Sequence, residues 1–196
     1  MFTLTRVVTL IFLCGGLIAG GCSRSPRVHF YTLTAPAGNV AATTAPALPS
    51  ITVGAVTLPE FVDRPQLVIV AADNRVEILD THHWAESLKS ALPRVLADNL
   101  SARLGVDRVT AYPQQAGTTA DYTVVVDFQR FESTVDSVFI DALWTVRADG
   151  KRTLSGRSRV REARKEGADT VAGAYSRALE KVSGEIAAVL EKEVRP

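Results

Sequence analysis

Cysteine and histidine are scarce in this sequence, two and three among 196 residues, and no spacing among them completes a tetrahedral metal set. Charge of one sign is absent too: 22 Lys+Arg stand against 21 Asp+Glu, which argues against a nucleic-acid binder. Long apolar runs are confined to the extreme N-terminus, and this excludes a polytopic membrane protein. There is no internal repeat. What is present is a 46% hydrophobic and 22% charged composition, ordinary for a globular chain and too apolar for wholesale disorder. The length admits one domain of roughly 150 residues, large enough to fold unaided.

The N-terminus points to a compartment. Met1–Gly21 carries a single charge, Arg6, then the apolar run Val7–Cys14 and a small-residue stretch ending Gly20-Gly21. Positive start, apolar centre and small-residue end make a secretory signal peptide. A transmembrane anchor is the competing reading, but four glycines break the run and no stop-transfer flank follows. Cys22 comes next and resembles the first mature residue of a bacterial lipobox, although Ala19 stands where Leu is usual. Ordinary cleavage leaving a free thiol is the alternative. Acylation at Cys22 would make a membrane anchor, each buried methylene contributing about 0.8 kcal/mol. Ser23, rather than Asp, follows it and by the usual sorting rule directs a lipoprotein to the outer membrane. Loss of Cys14 with the signal, and acylation of Cys22, leave no internal disulfide. Loss of Arg6 makes the mature chain formally neutral, so lipid rather than charge must hold it at a membrane.

Segment 22–50 holds a short strand-like run, Val28–Leu33, and a stretch rich in Ala, Thr and Pro that reads as a flexible tether. Residues 51–196 form the domain proper. Strands are expected at Ile51–Leu58, Gln66–Ala72, Arg75–Leu79 and Val106–Ala111, with Asp73-Asn74 turning between the second and third. From His82 the period changes: Trp84, Leu88, Leu92, Val95, Leu96, Leu100 and Leu104 recur at spacings of three and four. This predicts an amphipathic helix capped by Asp80 or Thr81, ended by Gly105 and kinked or divided at Pro93. Asp121–Glu132 and Val135–Ala148 read as a long hairpin. Tyr122, Val124, Val126 and Phe128 share one face of it, and Val138, Ile140, Ala142, Trp144 and Val146 share one face of its partner. Asp149-Gly150 turns into a third, more polar strand to Glu162. A final helix carries Val171, Tyr175, Leu179, Val182, Ile186, Val189 and Val194 on its apolar side. The expected class is α+β, with two main helices packed on one face of a mostly antiparallel sheet.

Little in this pattern calls for catalysis. His82-His83 are read as polar residues at a helix start, since adjacent helical residues point apart. No phosphate loop, dinucleotide fingerprint or G-x-S-x-G elbow occurs, and no cofactor is implied. Asp127, Asp136 and Asp141 read as solvated strand positions. The informative cluster is Leu58-Pro-Glu-Phe-Val-Asp-Arg-Pro-Gln66. Two prolines fix its shape, lowering the entropic cost of presenting Phe61 and Arg64 to a partner. The other reading is a rigid connector with Phe61 tucked into the core. The exposed side of the last helix, Glu180–Lys192, is a second candidate surface.

Ile51–Val68, reading ITVGAVTLPEFVDRPQLV, resembles the signature of PqiC/YmbA-type lipoproteins, the ABC-type transport auxiliary lipoproteins. So do Tyr31-Thr-Leu33, Asn74-Arg-Val76, Trp84-Ala-Glu-Ser-Leu88 and the aromatic hairpin ending at Trp144. Ala55, Phe61-Val62 and Ser87 are mild departures. The resemblance implies a non-catalytic, periplasm-facing outer-membrane lipoprotein. It would dock an MCE-domain (PqiB-like) transporter subunit in intermembrane lipid transport. Self-association through the Pro59–Gln66 loop is a separate expectation that the resemblance does not supply. Two other classes stay open: an adaptor of another envelope machine (cell-wall synthesis, secretion or lipopolysaccharide assembly), and a periplasmic hydrolase or lipid carrier.

Overall fold

Residues 25–36, 49–113, 120–148 and 153–194 are described by the computed structural model. Among these described residues eight strands and two long helices follow in order: β1 His29–Tyr31, β2 Ile51–Val53, β3 Gln66–Val70, β4 Val76–Trp84, α1 Leu88–Leu104, β5 Val109–Ala111, β6 Tyr122–Ser133, β7 Ser137–Arg147, β8 Leu154–Ala163 and α2 Val171–Val194. The fold is α+β, as the sequence pattern indicates.

The strands form two sheets, each of them mixed rather than purely antiparallel. A five-stranded sheet has the order β5-β2-β6-β7-β8, and a three-stranded sheet the order β1-β4-β3. β6, β7 and β8 pair antiparallel, as do β3 and β4, whereas β2 runs parallel to both its neighbours and β1 runs parallel to β4. Alternation along a strand says which face it buries but not which way its neighbour runs. The parallel pairs of β2 arise because the chain leaves it through β3, β4 and α1 before returning as β5 and β6.

Every hairpin position expected to face inward is buried, from Tyr122 to Phe128 and from Val138 to Val146. A bulge between Phe128 and Arg130 then shifts the register. Phe128 and Phe131, three residues apart, are thereby both brought to the core, each 1% exposed. α2 lies over β7 and β8 and against α1, and α1 lies beside β2 and β5. Between the helices, Asn99 Nδ2 donates to Ser183 Oγ at 3.3 Å inside the core.

The start of the first helix differs from the sequence expectation. β4 continues through His82 and His83 to Trp84, and α1 begins only at Leu88, with Ser87 as its cap: Ser87 Oγ accepts from Ser90 N at 3.2 Å. Neither Asp80 nor Thr81 caps a helix. The cause is pairing with the N-terminal segment, where His29, Phe30 and Tyr31 register with His82, His83 and Trp84. The helix is not divided at Pro93 either; one α-helix runs through it to Gly105, which takes the left-handed conformation (φ 65°). One missing N–H is outweighed by a helix with buried residues from Leu88 to Leu104. The turn at Asp73-Asn74 is as expected, both residues having positive φ. Cys22 and Asp149-Gly150 lie outside the described residues.

Candidate docking site

The loop between β2 and β3 is built from its prolines. After a single bridge between Thr57 and Asp127, Pro59 directs the chain into a 3-10 turn, Glu60–Val62, closed by Val62 N to Pro59 O (3.2 Å) and Asp63 N to Glu60 O (3.2 Å). Val62 is the member of the turn that enters the core, at 5% exposure. Phe61 is half-buried and packs against the core from the surface, so it is neither fully tucked in nor free. Pro65 ends the loop, and its carbonyl accepts from Trp84 N at 2.7 Å.

That bond sets the loop against the segment joining β4 to α1. Between residues 63–65 and 84–88 lies a surface groove of about 320 Å³. Trp84 and Leu88 line it and are themselves 7% and 2% exposed, so the groove rests on core. Below, Phe131 and Tyr175 stack with ring centroids 4.0 Å apart, and Trp84 leans on Tyr175 at 6.1 Å. The small sheet, the large sheet and α2 therefore meet in one aromatic cluster beneath the loop. Full burial raises the Tyr175 phenol well above its ordinary value, keeping it a neutral packing group.

Among the described residues the charges at the rim are paired with one exception. Lys89 Nζ lies 2.6 Å from Asp63, and Arg94 Nη2 lies 2.5 Å from Glu86. Arg64 Nε is buried and has no hydrogen-bond partner. Thus the structure brings Arg64 to a groove and leaves Phe61 beside it on the loop, while sequence reasoning missed Trp84, Glu86 and Leu88 as the opposite wall. Their signal was the Trp84–Leu88 motif itself, read as helix start rather than as a strand-to-helix corner.

His82 and His83 are placed differently from expectation, on a strand rather than at a helix start. His29 stacks on His82 at 5.3 Å, Tyr31 Oη and His82 Nδ1 are 2.8 Å apart, and Phe30 meets His83 edge-on at 5.9 Å. They form an aromatic ladder across β1 and β4. Among the described residues no group of three His, Cys, Asp or Glu is arranged to hold a metal ion.

Asp141 is not a solvated strand carboxylate. It is 4% exposed and takes a two-pronged hydrogen bond from Arg157 (Nε 2.7 Å, Nη2 2.6 Å). That bond lowers its carboxyl below the ordinary value. On the α2 side, Glu162 accepts from Lys181 and lies 3.4 Å from Arg177, and its carboxyl is lowered chiefly by Lys181. The neighbouring groove, about 550 Å³, is lined by these paired charges and Arg103.

Residues 31–187 match the family of the ABC-type transport auxiliary lipoprotein component, and the chain belongs to that family. It is an auxiliary lipoprotein component of ABC-type transport, and its class is that of a membrane-anchored envelope protein. No curated protein sequence matches it. Among solved structures, one uncharacterised protein superposes with a TM-score of 0.67 at 20% identity, covering 84% of this chain and 99% of that one. Protein XCC0632 from Xanthomonas campestris, of family DUF330, superposes with a TM-score of 0.60 at 16% identity, covering 82% and 90%. At these identities the likeness is one of fold. No helix among the described residues is long and apolar enough to cross a membrane.

Proposed function

We propose that this chain is a non-catalytic outer-membrane lipoprotein, acylated at Cys22 and facing the periplasm. It docks the MCE-domain subunit of an intermembrane lipid transporter. The observation that carries the reading is the family match over residues 31–187. An auxiliary subunit needs an anchor, a stable body and a contact surface. The lipobox-like Cys22 would supply the first, and the α+β domain is the second. For the third, the favoured surface is the Pro59–Gln66 loop, where Phe61 is the half-buried apolar anchor and Arg64 the neighbouring charge. Aromatic and Arg residues are the usual hot spots of such contacts.

The test is purification of the full-length chain from chemically crosslinked membranes, with partners identified by mass spectrometry. The MCE-domain subunit of the transporter is the expected partner. Recovery of a cell-wall synthase, a secretion component or a lipopolysaccharide-assembly protein in its place would assign the adaptor to a different machine.

A further inference from the structure

We infer that the groove beside Arg64 is a receptor for a carboxylate carried by a protruding segment of the docking partner. The inference rests on the docking reading above and adds the chemistry of what enters the groove. Three arginines among the described residues are part-buried: Arg64, Arg94 and Arg164. Arg94 is held by Glu86, and Arg164 donates to the carbonyls of Thr134, Lys165 and Gly167. Among the described residues nothing forms an ion pair or hydrogen bond with the Arg64 guanidinium, and its Nε is sealed from solvent. A partly desolvated cation without a counter-charge is costly, and a partner's carboxylate would remove that cost.

Geometry and charge narrow the occupant. Asp63 and Glu86, the carboxylates lining the groove, already face Lys89 and Arg94, so neither is left to neutralise Arg64. With Nε sealed, approach along that side of the guanidinium is closed and the two Nη nitrogens remain. A carboxylate fits that end with two parallel bonds. The cleft is concave, walled by Trp84 and Leu88, and admits a projecting side chain or chain end rather than a flat bilayer.

The experiment uses the full-length chain with the purified periplasmic part of the MCE-domain subunit. Lys89→Arg removes the one neighbouring amine, and Arg64→Lys in that background places an amine at the groove. A carbodiimide then activates any carboxylate in contact; the amine attacks it, an amide forms and the urea leaves. The expected product is a peptide joining position 64 to an Asp, a Glu or the C-terminus of the partner. Arg64→Gln should give no such product and weaken binding about tenfold or more. Binding unchanged in Arg64→Gln, or coupling confined to Asp63 or Glu86 of the same chain, would overturn the carboxylate assignment while leaving docking intact. If Arg64→Gln lowers binding to phosphatidylglycerol vesicles but not to the subunit, the groove reads lipid phosphate and the inference fails. No binding of the subunit by the wild-type chain would instead remove the docking reading itself. Circular dichroism melts of each variant confirm that folded protein is compared.

Discussion

At the residue scale, Trp144 shows how one side chain is fixed by its neighbours. Its cross-strand partner is Gly156, and a Cβ there would fall inside the indole. The indole Nε1 donates to Ser158 Oγ at 3.0 Å, and Ser158 donates onward to Glu185 of α2 at 2.5 Å. Gly156 is needed for close approach, not for an unusual φ. Gly156→Ala should therefore cost about 1–3 kcal/mol in chemical denaturation, the range for overpacking. An unchanged midpoint would mean that the indole can swing aside. Asp141 makes the second residue-scale prediction. Its carboxyl is lowered in the fold, so the Arg157 pairing contributes full stability above the ordinary carboxylate value. That contribution is lost as pH falls through the lowered one. Asp141→Asn should be less stable than wild type at neutral pH, with the gap narrowing progressively as pH falls below about 5. Parallel stability–pH curves for the two proteins would contradict this.

At the scale of elements, α1 shows what patterning does and does not reveal. The spacing of Leu88, Leu92, Val95, Leu96, Leu100 and Leu104 identified the helix and its buried side, and all six are at most 5% exposed. The spacing alone places its start too early, because Trp84 also fits it although it belongs to a strand. The pairing of β4 with β1, 53 positions away in sequence at His29–His82, and with β3 at Gln66–His83 decides that, and long-range pairing leaves no local signal. The same holds for the split into two sheets and for the wall of the candidate groove. Phe61 and Arg64 were legible from the two prolines, whereas Trp84 and Glu86 become groove residues only once Pro65 bonds to Trp84 N. Leu100, at 0% exposure, tests the packing: Leu100→Ala should cost about 2–5 kcal/mol. A loss below about 1 kcal/mol would place this face at the surface.

For the whole molecule, the division of labour is between a tether and a body. The proposed acyl anchor at Cys22 precedes β1 by only seven positions, which at ~3.5 Å per residue spans at most about 25 Å. The domain would then sit close to the bilayer that holds it. Cys22→Ala should move the protein from the outer-membrane fraction to the soluble periplasmic fraction on sucrose-gradient separation. Continued flotation with membrane would show that something other than lipid retains it. Docking through the Pro59–Gln66 loop is the central claim, and its elements are preformed: two prolines, a 3-10 turn, and an aromatic floor of Trp84, Phe131 and Tyr175. A preformed surface loses little entropy on binding, so its anchors should act on affinity more than on stability. The most direct measurement is a titration of the purified full-length chain with the periplasmic part of the MCE-domain subunit, wild type against Phe61→Ala, Arg64→Ala. The account predicts binding by wild type, affinity at least about tenfold weaker in the double variant, and a melting temperature only slightly lower. Equal affinity in a folded double variant would contradict it and move the contact to the exposed side of α2, Glu180–Lys192.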